Sequence, residues 1–183
     1  AARAAMAVIG ESFKAADPMR SSRGQIRAAD ILQVAIARTA PLRERQPLLH
    51  ASLMAELGEA ELAVGMAQTS TQAVEAALTW ARSTTEQLEL RRRLLMVRAR
   101  QELARRDFKA ADRYLVELEG AAQDASPAVM LIRTHYLLAI DQAERAVSLA
   151  KRAASELEAE GDRSAYIDAL WQLAEARSMA GQY

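Results

Sequence analysis

The stretch LMAELGEAELAVGMA, Leu53–Ala67, consists of strong helix formers, yet it holds a glycine, Gly58, near its centre. A glycine inside a helix costs about 1 kcal/mol relative to alanine, because its backbone loses more freedom on ordering. Some contact must offset that loss. The contact that favours glycine over every other residue is the close approach of another helix backbone. Reading Gly58 this way decides the fold: the chain should be helices paired tightly at small side chains.

The whole composition agrees. Of 183 residues, 51% are hydrophobic and only 4% aromatic, with four prolines and seven glycines to interrupt them. Alanine, leucine, arginine and glutamate dominate, so an all-α fold is expected and strands with regular turn clusters are not. Lys and Arg together number 24, as do Asp and Glu, so no global charge draws the chain to nucleic acid or an anionic membrane. The absence of cysteine rules out disulfides and thiol chemistry and fits a reducing, cytoplasmic setting. No uncharged apolar run reaches 18 residues, which argues against a membrane span or signal peptide. Opening at Ala1 without a methionine and closing on Gly-Gln-Tyr, the chain reads as a piece of a longer protein.

Apolar spacing and start and stop signals divide the chain into about nine helices. They are expected near residues 1–16, 25–43, 47–64, 70–82, 86–105, 108–119, 127–140, 142–160 and 163–180. In the second, Ile26, Ala29, Leu32 or Gln33, Ile36 and Ala40 should face inward. Asp17-Pro18 ends the first, since a residue before proline avoids the α region. Pro47 and Ser126-Pro127 open helices. Thr69 with Gln72, Ser83 with Glu86 and Asp141 with Glu144 fit capping boxes. Gly120 and Gly161 suit left-handed helix ends. Short connections make neighbouring helices antiparallel.

A worn repeat runs through this pattern. Gly58, Ala99, Thr134 and Ala174 align at spacings of 41, 35 and 40 residues, each on the first helix of a hairpin. Leu57, Arg98, Arg133 and Leu173 precede them. On the second helices, Ser70/Val74/Ala77, Ala111/Leu115/Leu118 and Ala146/Ala150/Ala153 match. Gly58, Ser70, Ala77, Ala99, Ala111 and Ala174 are therefore the expected small-residue packing positions, with Ala73 beside them.

With LGEAELAVG (57–65), RRDFKAADRYL (105–115) and LAEARSMAGQY (173–183), the chain resembles the tetratricopeptide repeat family. It departs from that pattern at Glu61, Glu102 and Arg177, where tyrosine is usual. The resemblance implies a right-handed superhelical stack of antiparallel helix hairpins forming a single domain over 1–183, with 1–45 a linker or capping hairpin and 46–183 degenerate repeats. A narrower likeness lies in VIGESFKAADP (8–18), GQIRAADILQVAIART (24–39) and QPLLHASLMAELGEAELAVG (46–65). These resemble the segment joining effector domains to such repeats in bacterial serine/threonine protein kinases and winged-helix regulators.

Charge is distributed unevenly. Arg91, Arg92, Arg93, Arg98, Arg100, Arg105, Arg106 and Lys109 face only Glu102 and Asp107 over nineteen residues. Arg91, Arg98 and Arg105 share one helical stripe, which suits either a solvated face offset by acidic neighbours or a groove for an acidic or phosphorylated peptide, with these three and their neighbours Glu102 and Arg133 as its candidate contacts. Before them, Glu56, Glu59, Glu61 and Glu75 lie in a stretch without lysine or arginine; that segregation suits either pairing between units or orientation of an incoming chain. His50 and His135 lack metal-ligand spacing, and QVAIAR (33–38) lacks the lysine of a kinase strand. Neither a cofactor nor a metal is implied, and no catalytic constellation emerges.

The expected function is thus a noncatalytic scaffold that docks a protein or peptide on a concave helical surface in a bacterial signalling protein. A helical sensor domain holding a small molecule between hairpins is the alternative. Leu170, Trp171, Leu173 and Met179 would lack cover at the C-terminal edge, which favours homodimerisation, fraying or a missing partner segment.

Overall fold

The computed structural model describes residues 28–121 and 126–182. The helix expected over 1–16, the stretch VIGESFKAADP and Ile26 lie outside them. Among the described residues there are nine helices and no strand: α1 Ala28–Thr39, α2 Leu42–Arg45, α3 Pro47–Ala63, α4 Thr71–Arg82, α5 Leu88–Ala104, α6 Phe108–Ala121, α7 Pro127–Ala139, α8 Ala143–Glu160 and α9 Arg163–Met179. From α3 onward the bounds fall within two residues of the sequence expectation. The helix expected over 25–43 is instead broken at Ala40 and Pro41. Its inward positions also differ: Ala35 and Thr39 are buried, whereas Ile36 is half-buried and Ala40 exposed.

The chain divides into two compact units at Arg105 and Arg106. In the first, α4 packs on α3 and α5, α5 closes back on α3, and α1 and α2 also rest on α3. Met54, Val74, Leu78, Leu94, Leu95 and Val97 fill its centre. In the second, α8 lies along both α7 and α9, α9 returns to α7, and α6 packs on α7. The three-residue connection before α8 and the two-residue connection after it force the chain to reverse at both steps. The inner face of α8 is almost all alanine, with Ala146, Ala150 and Ala153 fully buried. Side chains that small let helices on both sides approach closely.

Gly58 is buried, and its place explains its identity. A Cβ added there would lie 2.6 Å from Cγ1 of Val97 on α5 and 3.2 Å from Cγ2 of Val74 on α4. The crowding atoms are β-branched side chains of two helices, where the sequence had suggested a passing backbone. Val74 and Val97 replace the expected Ser70, Ala73 and Ala77 as the contacts; Ser70 and Ala77 are buried nearby, and Ala73 is half-buried. Ala99 and Ala111 are fully buried. Ala174 is exposed, and Ala176 takes the packed position. Two residues turn a helix by about 200°, so only one of the pair can face α8.

Local signals for helix ends succeed unevenly. Gly161 ends α8 in the left-handed region, φ 76°. Gly120 instead lies inside α6, one residue before its end. Ser83 caps the end of α4 and donates to Trp80 O at 2.7 Å rather than starting α5. Asp141 adopts φ 59° in the α7–α8 connection and leaves Gln142 to precede α8. Asp162, by contrast, accepts a hydrogen bond from Ala165 N at 3.1 Å at the start of α9.

Two substitutions test this packing. Gly58→Ala gains helix propensity but forces Val97 aside, so urea denaturation should show a net loss of about 1–2 kcal/mol. Adding Val97→Ala should make the double variant more stable than the sum of the single losses. Thr134 is fully buried on α7, and its hydroxyl makes no hydrogen bond among the described residues. Thr134→Val should therefore raise stability by about 1 kcal/mol, read as a higher urea midpoint.

Candidate docking groove

The arginine-rich helix is α5, and its charges separate into buried and surface groups. Arg93 reaches α3: its Nε and Nη2 donate to Glu59 at 2.7 and 2.6 Å, and Nη1 to Glu56 at 2.8 Å. Those hydrogen bonds, from Glu59 first and then Glu56, hold its pKa above the ordinary arginine value. Arg98 is only 5% exposed and donates to Glu75 Oε2, Gln101 Oε1 and Glu102 Oε1. Glu102 is buried as well. Arg98 and Glu102, expected to contact a partner, are both enclosed and bonded inside the first unit. Arg91 is half-buried and already engaged within the protein. Arg105 stays accessible, 3.4 Å from Glu102 with 43% of its side chain exposed.

The acidic stretch of α3 and α4 and the basic face of α5 are thus one intramolecular arrangement. Pairing within the unit is what the charge segregation achieves. Glu61 stands apart, since amides and a hydroxyl donate to it. Its carboxylate, fully buried, accepts from the backbone N–H of Gln68 at 2.9 Å, of Thr69, and of Ser70 at 3.0 Å, and from the Ser70 hydroxyl. Gln101 Nε2 on α5 donates to it at 3.4 Å and to Ser70 Oγ at 2.8 Å. A negative charge there satisfies the free N–H groups leading into α4 and complements its dipole. The cap expected from Thr69 and Gln72 is in fact provided from the preceding helix.

The second unit holds an open groove of about 810 Å3 between α6, α7 and α8. Arg133 on α7 is anchored in it. Its Nε and Nη2 clasp Glu119 at 2.8 and 2.6 Å, and Nη1 reaches Asp112 at 2.5 Å, both acids standing on α6. Burial works against the Arg133 cation, but hydrogen bonds to Glu119 and Asp112 outweigh it and leave its pKa raised. Its guanidinium lies 5.2 Å from the ring centre of Tyr136. Tyr136, Leu137, Ile140 and Leu149 contribute apolar surface to the groove. Arg145 and Arg152, two turns apart and exposed, stand on the α8 side. Sequence reasoning picked out Arg133 but missed Arg145 and Arg152, although their seven-residue spacing places both on one face of α8.

Among the described residues, no His, Asp and Glu cluster of three or more could hold a metal, and no helix is long and apolar enough to cross a membrane. Ile167, Leu170, Trp171 and Met179 on α9 are exposed, as expected for the latter three, whereas Leu173 is buried. Compared with protein-family models, curated proteins and solved structures, the chain gives no match.

The Glu61 site predicts how stability responds to acid. Burial raises the pKa of this carboxyl, but hydrogen bonds from Ser70 and Thr69 prevail and lower it below the ordinary 4.5. A group whose folded pKa is depressed stabilises the fold fully above its unfolded pKa, and that contribution is lost as pH falls through the folded value. The urea midpoint should hold from neutral pH down to the ordinary carboxyl range and then drop. Glu61→Gln, which turns an amide donor toward other donors, should cost about 1–3 kcal/mol at neutral pH and flatten the acid limb.

Proposed function

We propose that the protein is a noncatalytic docking scaffold of tetratricopeptide type that binds an acidic peptide or partner helix in the α6–α7–α8 groove. Support for the repeat reading comes from a recurring triangle of helices. A hairpin and the first helix of the next hairpin pack together as α3–α4–α5 in one unit and as α7–α8–α9 in the other. Such triads would continue into a right-handed stack. The likeness in residues 8–65 supports a place within a bacterial signalling or regulatory protein.

One observation carries the docking assignment: the groove sets a preorganised pattern of charged side chains around a small apolar patch. Asp112 and Glu119 are both tied to Arg133, which offsets one of their two negative charges and fixes both acids in place. Arg145 and Arg152 on α8 are exposed; Arg145 donates to Gln142 at 2.5 Å and Arg152 to Glu156 at 3.3 Å, both exchangeable surface contacts. Exposed pairs of this kind contribute little, so a ligand carboxylate can replace them. The fitting partner carries acidic residues two helical turns apart with apolar residues between them, which would meet Tyr136, Ile140 and Leu149.

Display of random peptides against the 183-residue chain tests this. Acidic, partly apolar sequences should be enriched, and Arg145→Glu with Arg152→Glu should weaken their binding by about tenfold or more. Affinity should also fall with added salt. Absence of enrichment, or binding unaffected by the double reversal, would overturn the assignment.

A further inference from the structure

A second cavity, of about 340 Å3, lies in the first unit between α2, the start of α3 and the C-terminal half of α4. Its size and make-up fit small-molecule sites, which are apolar with a few placed polar groups. Pro47, Ala76, Ala77 and Trp80 supply the apolar walls, the alanines leaving the space open. Thr79 and Ser83 also line it, but their hydroxyls are spent on Glu75 O at 2.9 Å and Trp80 O at 2.7 Å.

His50 is the exception. It is 6% exposed and lines the cavity, and its imidazole makes no hydrogen bond among the described residues. An imidazole with no partner among the described residues, at the wall of an open, mostly apolar space, offers a ligand one of the few placed polar groups that small-molecule sites use. Burial first, and then the nearby charge of Arg43, push His50 below its ordinary pKa of 6.5. The neutral ring offers one N–H donor and one acceptor. Arg43 and Glu44 stand at the same cavity on α2. Beside Arg43 a single negative charge is favoured; a second would approach Glu44. A metal does not fit, since among the described residues no cluster of three or more His, Asp or Glu that could hold one accompanies His50.

We infer that this cavity binds a small aromatic monocarboxylate, with its ring against Trp80 and Pro47 and its carboxylate between Arg43 and the His50 N–H. The site requires no peptide in the α6–α7–α8 groove, so each assignment can fail without the other. It gives the small-ligand alternative a definite place in the fold.

The test uses the full chain carrying Trp171→Phe, so that Trp80 is the remaining tryptophan and reports on its own surroundings. Benzoate and 4-methylbenzoate are titrated by fluorescence and calorimetry, with benzamide and acetate as the neutral and ringless counterparts. Both aromatic carboxylates should give saturable responses. Benzamide and acetate should bind at least about tenfold more weakly, as should benzoate to Arg43→Ala or His50→Leu. Arg43 is exposed, so its replacement leaves the fold intact and keeps the test open if the His50 variant is unstable. The inference is overturned if neither carboxylate gives a saturable response up to about 10 mM, a range set by fragment-sized ligand efficiencies. Equal binding of benzamide or acetate, or unchanged affinity in Arg43→Ala, overturns it as well.

Discussion

One turn of α3 controls the packing of the first unit. Gly58 admits Val97 at a distance no Cβ tolerates and Val74 at one that is tight, and Glu61, three residues on, gathers the amides leading into α4. Gln101 on α5 meets both. Its Nε2 would lie 3.7 Å from a Cβ on Gly58 and is 2.8 Å from Ser70 Oγ. Apolar contact and polar satisfaction are therefore coupled on one face, because residues three apart on a helix stand side by side. Enlarging Gly58 would shift α5 and disturb the hydrogen bonds of Gln101. A buried carboxylate is tolerable only when every lone pair finds a donor, so the same face also fixes the register of α4 and α5 against α3.

The arginines of α5 follow from that geometry. Once α5 lies on α3 and α4, its inward-tilted cations face Glu56, Glu59 and Glu75, and pairing inside the unit requires no outside partner. Heptad spacing placed Arg91, Arg98 and Arg105 on one stripe, but a stripe does not say whether it faces water or protein. Arg98 is enclosed while Arg105 is exposed, because α4 covers the middle of the helix through Glu75 and leaves its end free.

Much of the fold was legible because helix propensity, proline starts and apolar spacing are local. Gly58 was legible too, since its cost had to be offset somewhere. What failed depended on distant residues. Glu61 caps α4 across a loop, and its contact to Gln101 spans 40 positions, so Thr69 and Gln72 looked like the cap. Ala174 matched the repeat spacing, yet small size does not decide which of two nearby alanines faces α8. His50 and Trp80 carried no motif, and only the folded arrangement of α2, α3 and α4 brings them to one cavity.

Arg98 and Arg133 occupy the same place in the worn repeat, 35 residues apart, and the structure gives them the same task. Each projects from the first helix of a hairpin to carboxylates on the helix before it: Arg98 to Glu75 on α4, Arg133 to Glu119 and Asp112 on α6. A planar guanidinium with several fixed donors suits such a strap better than an ammonium would, because it holds two acids in a set geometry. At the corresponding positions 57 and 173 the residue is leucine, and both are buried by apolar packing. The slot thus joins successive helices either by apolar contact or by a charged clasp. An arginine there ties two helices together by charge where leucine does so by packing. In the second unit the clasp holds α6 and α7 in place beside Arg145 and Arg152, so the cations left at the surface are those the repeat does not require.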